Sequence, residues 1–146
     1  MKQANSAQRK IDSSSPSTSV PISGRELAVK IAEAALEKKA GRIEIIDVRG
    51  KVDYTDYILV MSGRSDRQVA AIARGIEEDL KHKHTTPCSG VEGLPQGSWV
   101  LLDFGDVVVH IFHQDTRGYY DLDALWLDAD RVEFEGQQVD DGFAFP

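Results

Sequence analysis

The chain has 146 residues and a net charge of −7, from 17 Lys and Arg against 24 Asp and Glu. This length supports one domain with its own apolar core. With no apolar run of about 18 residues a membrane-spanning helix is excluded, and the single Cys88 excludes an internal disulfide framework and fits a reducing compartment.

Residues 1–22 are rich in Ser, with Asn, Gln, Thr and two Pro. They cannot bury enough apolar surface to offset the entropy of ordering, so a disordered extension is expected. Lacking the apolar stretch of a secretory signal, they fit a cytoplasmic protein, with an organelle transit peptide as the alternative. Ser23-Gly24-Arg25-Glu26 reads as a capping box. Leu27, Ala28, Ile31, Ala32, Ala35 and Leu36 follow at helical spacing, and Gly41 reads as a left-handed stop, which predicts a helix over 24–40. The β-branched runs 43–48 and 57–61 predict two largely buried strands. Ser65 with Gln68 repeats the capping pattern, and Val69, Ile72, Ala73, Ile76 and Leu80 predict a helix over 66–83. Residues 88–91 read as a short edge strand and 93–97 as a turn.

Gly105-Asp106 suits a tight two-residue hairpin of type II′. Its register places Val100, Leu102, Phe104, Val107, Val109 and Ile111 on one purely apolar face, which must be core. The opposite face carries Trp99, Leu101, Asp103, Val108, His110 and Phe112. That mixture is too adhesive for plain solvent and too polar for a plain core, so it reads as a binding face. Residues 119–126 then predict a short helix with Leu122, Leu125 and Trp126 on its inner side and at least one of Tyr119 and Tyr120 at a rim. Residues 128–146 are acidic and read as weakly ordered, despite Val132, Phe134, Phe143 and Phe145. The element order predicts a two-layer α/β domain. Its mixed sheet of four to five strands carries two main helices on one face, and the other face stays at least partly open. The expected divisions are an extension over 1–22, a domain over 23–132 and an acidic tail over 133–146.

Charge divides unevenly, with eleven acids against Arg117 and Arg131 in residues 98–146. This disfavours phosphate-backbone contact there and suits a basic protein partner. Candidate chemistry is sparse. Asp103 and Asp106 straddle the turn three positions apart, whereas a metal-binding acid pair shares one strand face. His110 and His113 fall on opposite faces of a strand, and His82, His84 and Cys88 lack a fourth ligand at diagnostic spacing. Ser62-Gly63-Arg64-Ser65 opens a helix after a strand, but helix capping accounts for Ser65 without a bound phosphate. No metal, cofactor or catalytic group is expected.

The run from Asp53 to Val69, DYTDYILVMSGRSDRQV, resembles the first motif of the ribosomal silencing factor, or Iojap-like, family. Val91-Glu92-Gly93, Trp99 through His110, Arg117, Tyr119-Tyr120-Asp121-Leu122 and Leu125-Trp126 resemble the second. The resemblance implies a fold akin to nucleotidyltransferases without the catalytic acids. It also implies a non-enzymatic translation repressor that binds the large ribosomal subunit at large-subunit ribosomal protein fourteen and blocks joining of the small subunit. Homodimerisation of the free protein is compatible with it, and sequence-specific nucleic-acid binding is not expected. The residues expected to meet the partner are Trp99, Leu101, Asp103 and His110, with Tyr119 and Tyr120 at the rim. The competing classes are an active nucleotidyltransferase using Asp103 and Asp106, and a metal- or phosphate-dependent hydrolase.

Overall fold

A computed structural model describes residues 21–94 and 98–136. Helix α1 spans Gly24–Glu37, strand β1 Gly41–Asp47, β2 Tyr57–Gly63, helix α2 Asp66–His84, β3 Gly90–Glu92, β4 Trp99–Asp103 and β5 Val107–His113. Helices α3 (Gln114–Tyr120) and α4 (Leu122–Leu125) and strand β6 (Asp130–Arg131) complete the chain. Among the described residues six strands form one mixed sheet in the order β3-β4-β5-β2-β1-β6. β2 and β5 run parallel at its centre, and every other pair is antiparallel.

The hairpin has the register read from the sequence: Trp99 faces Phe112, Leu101 faces His110 and Asp103 faces Val108. Gly105 adopts φ +87°, and the Asp106 N–H donates to the Phe104 carbonyl, so the chain reverses around the glycine itself. Thr55 pins this tip to the start of β2, its hydroxyl donating to the Gly105 carbonyl at 3.1 Å. Val100, Leu102, Val107, Val109 and Ile111 are all fully buried, as their alternation requires. They pack beneath Leu27 and Ile31 of α1 and Val69, Ile72 and Ile76 of α2. Each such Leu or Ile side chain contributes about 1.5–3 kcal/mol by leaving water. The small Ala28, Ala32, Ala35 and Ala73 are buried with them and keep both helices close to the sheet.

The helix ends differ in detail from the sequence reading. Ser23 makes no side-chain cap; instead Gly24 turns at φ +63° and its N–H donates to Asp106 Oδ2 at 3.2 Å. Helix α1 stops at Glu37, and the left-handed residue after it is Lys39, not Gly41, because Gly41 already pairs with Ser62 as the first residue of β1. Ser65 does cap α2, accepting from the Gln68 N–H at 3.0 Å.

The larger corrections lie after β5. The single helix expected over 119–126 is two short helices, because α3 starts at Gln114 and Asp121 breaks the run at φ +51°. Leu122 and Trp126 pack on the sheet, but Leu125, expected on the inner side, is exposed. The segment expected to be weakly ordered from 128 contributes β6, and Ala129, Val132 and Phe134 are buried. The sheet therefore has six strands instead of four to five. The second face is not left open across its whole width: Ile46, Val48, Ile58, Val60, Phe112 and Ala129 form a smaller core there. Covering on both faces is why every residue of β2 is buried. Residues 1–20, 95–97 and 137–146, which include the N-terminal extension up to residue 20, most of the 93–97 turn expected from the sequence, Phe143 and Phe145, lie outside the described residues. No helix among the described residues is long and apolar enough to cross a membrane.

Candidate partner-binding face

The second face of the sheet is built in rows across its strands. Trp99, Phe112 and Ser62 form one row, Leu101, His110 and Val60 the next, and Asp103, Val108 and Ile58 the third. Gly93 makes room for the first row. At φ +102° it passes so close to β4 that a Cβ there would collide with the Trp99 carbonyl oxygen. Trp99 itself is half-buried. Its ring lies 4.8 Å from Phe112 and 4.6 Å from Tyr120 between centroids, and its Nε1–H donates to His110 Nδ1 at 3.1 Å. That bond requires His110 to be neutral with its proton on Nε2. Burial enforces the same state, lowering the His110 pKa from 6.5 to about 4.

Tyr119 meets Tyr120 edge-on at 5.0 Å and is 83% exposed, while Tyr120 is 52% exposed. The result is an aromatic ledge that grades from Phe112, fully buried, through Trp99 to two rings in solvent. Beside it an open depression of about 340 Å³ is lined by Ser98, Trp99, Asp115, Thr116, Tyr119 and Tyr120. The structure thus brings Trp99, His110, Tyr119 and Tyr120 together. Leu101, half-buried, adjoins them through His110. Asp103 does not join the cluster: it sits at the turn end, with its Oδ1 accepting from the Gly105 N–H at 2.8 Å.

The ledge depends on Arg117, whose role the sequence reading missed. Arg117 is 1% exposed. It donates to both carboxylate oxygens of Asp123 at 3.0 and 2.8 Å, to the Arg42 carbonyl at 2.6 Å and to Ser62 Oγ at 3.0 Å. One guanidinium therefore ties α3 to α4 and to the adjoining ends of β1 and β2. Burial pushes the Asp123 carboxyl up, but the hydrogen bonds and charge of Arg117 outweigh it and hold the pKa below its ordinary 3.8. The available signal was an arginine among aromatics with an acid six residues on, which becomes legible only once α3 and α4 fold back on each other.

Three further candidate groups have structural partners. His113 Nδ1 accepts from the Asp115 N–H at 3.2 Å and caps α3, so it turns away from His110. Asp106 caps α1 through Gly24, on the side of the sheet opposite Asp103. Cys88 donates to the Gly90 carbonyl at 3.0 Å, and burial pushes its thiol pKa up.

A family model described as "Ribosomal silencing factor during starvation" matches residues 21–143. Ribosomal silencing factor RsfS of Bacillus subtilis is 44% identical over 108 residues, covering 73% of this chain and 91% of that protein. Its counterpart in Halalkalibacterium halodurans is 39% identical over 115 residues, covering 79% and 97%. A crystal structure of a Chromobacterium violaceum protein superposes with a TM-score of 0.70 at 33% identity, over 78% of this chain and 93% of that one. Matched across its whole described domain in both sequence and fold, the chain belongs to the ribosomal silencing factor family.

Proposed function

We propose that this protein is a cytoplasmic translation repressor. In this reading it binds the large ribosomal subunit at large-subunit ribosomal protein fourteen and sterically blocks joining of the small subunit. The observation that carries the reading is the exposed Tyr119–Tyr120 ledge, packed through Tyr120 against Trp99. Tyr and Trp are the residues that anchor interfaces, because they bury large areas at low entropic cost. Asp115 and Asp121 beside the rings are exposed and favour a basic partner surface. Leu101 and His110 extend the contact, with Asp103 at its margin. Pairing of two free copies is compatible with the same reading.

The reading needs no catalytic step. A nucleotidyltransferase using Asp103 and Asp106 would need both carboxylates to converge on one metal site. Here each accepts a different backbone N–H, and the two diverge across the sheet. Cosedimentation tests the proposal: the protein should pellet with purified large subunits, not with small subunits, and should slow subunit joining followed by light scattering. Absence of binding to large subunits at moderate salt would overturn it.

A further inference from the structure

Residues 24–97 carry equal numbers of acids and bases, and the fold gathers part of the bases at one end of the sheet. The turn end of β2 and β5 carries Asp47, paired with Arg49, together with Asp53 and Asp56, and the hairpin adds Asp103 and Asp106. The opposite end carries Lys38, Lys39 and Arg42 from the α1–β1 connection and Arg64 and Arg67 from the start of α2, with Arg74 further along the same helix. All six are exposed. None forms an ion pair among the described residues. The acids nearest these cations are Glu37 and Asp66 in the same stretches, Glu77 and Glu78 one turn beyond Arg74, and Asp123, whose carboxyl the Arg42 charge helps hold low.

Three contacts hold the two basic segments together. Gln68 Nε2 donates to the Lys38 and Lys39 carbonyls at 3.2 and 3.0 Å, while its Oε1 accepts from the Arg64 N–H at 2.6 Å. The Lys38 stem crosses α2 at Gly75, where a Cβ would lie 2.8 Å from Lys38 Cγ and Cε. Arg67, Ala71 and Arg74 are exposed and fall on one stripe of α2 at i, i+4 and i+7. Gln68 therefore acts as a clip that turns two dispersed basic segments into one surface.

We infer that this surface binds the phosphodiester backbone of structured RNA without reading sequence. Exposed cations without an ion pair among the described residues match a line of phosphates, and four of the six are arginines, whose planar fork engages phosphate oxygens in pairs. The six-residue patch has no aromatic among its members for stacking on unpaired bases, which favours a duplex backbone over a single strand. The acidic turn end lies at the far end of the sheet, and salt screens it over such a separation at physiological ionic strength. The Arg42 carbonyl is held by Arg117, the residue that also carries the aromatic ledge. RNA could therefore be engaged beside a protein partner. That last step rests on the proposed function; the RNA contact itself does not.

The test is fluorescence anisotropy of a short labelled RNA duplex with the full-length chain across a salt series. Arg67→Glu with Arg74→Glu should weaken binding tenfold or more and reduce the log–log salt slope by about two. Lys81→Glu with Lys83→Glu, the same charge change at the other end of the same helix, should change affinity less than twofold. Arg67→Gln with Arg74→Gln should give an intermediate loss if the glutamates perturb folding. Tyr119→Ala should leave duplex binding unchanged, which separates this inference from the protein-partner reading. Equal losses in both glutamate pairs would overturn it. So would undetectable duplex binding by the unsubstituted chain at about 50 mM salt, or equally tight binding to polyglutamate or anionic vesicles.

Discussion

Trp99 donates its indole proton to His110 Nδ1 across the β4–β5 pair, 3.1 Å away, and this bond joins the buried and the exposed parts of the aromatic ledge. Because the acceptor nitrogen is also a protonation site, the bond is lost when His110 is charged. His110 titrates near 4 in the fold against an ordinary value of 6.5. Its folded pKa is depressed, so the unfolded chain takes up the proton first. The stability it supports is fully present above about pH 6.5 and is lost as pH falls toward about 4.

The first prediction follows from that sign. Stability measured by denaturant melts should decline between about pH 6.5 and pH 4 by at most about 3 kcal/mol from this group. His110→Asn keeps an acceptor for Trp99 but removes the titration, so its decline over the same window should be shallower. An identical pH profile for the variant would show that other groups carry the effect.

The second prediction separates contact from support on the ledge. Tyr119, 83% exposed, should when changed to Ala alter stability by under about 0.5 kcal/mol. It should weaken cosedimentation with large subunits by about 2 kcal/mol or more. Trp99→Ala should lose both binding and about 3 kcal/mol of stability, because its ring is packed between Phe112 and Tyr120. Val109→Ala, on the other face, should cost about 1–3 kcal/mol of stability and leave binding per folded molecule near normal.

Arg117 supplies the third. Replacing it with Met strands the Asp123 carboxylate, Ser62 Oγ and the Arg42 carbonyl, and should cost about 3 kcal/mol or more, read as a lowered midpoint in urea. Arg117→Lys should fail to restore the loss, since an ammonium cannot match the two oxygens of Asp123 in a plane. Near-native stability of the Lys variant would mean that charge alone suffices.

Truncation gives the fourth. Removing residues 1–20, which show no apolar periodicity, should change stability by under about 0.5 kcal/mol. Ending the chain after Arg131 removes the buried Val132 and Phe134 and should cost about 3 kcal/mol or more. Thermal melting of both truncations decides the point.

The hairpin was legible in the sequence to the level of register. Strand alternation and one glycine turn leave a single consistent pairing, and the buried face follows from it. Both long helices were likewise legible, because apolar spacing and the Ser65 cap are local signals. What followed β5 was not. Leu125 and Trp126 look alike in sequence, yet one is exposed and one packs, because Asp121 breaks the helix where Arg117 and Asp123 lock α3 against α4. Phe134 sits in an acidic stretch whose composition suggests solvent, but β6 adds to the edge of β1 and carries it into the core.

The sequence by itself therefore determined the two long helices, the strands up to β5, the core face of the hairpin and the family. Each rests on nearest-neighbour spacing or on a contiguous motif. Tertiary structure alone decided which aromatics emerge as a ledge, that Arg117 supports them, and that a locally neutral half of the chain presents a basic end. Those properties depend on residues far apart in the chain being brought side by side, and spacing along a sequence carries no record of that.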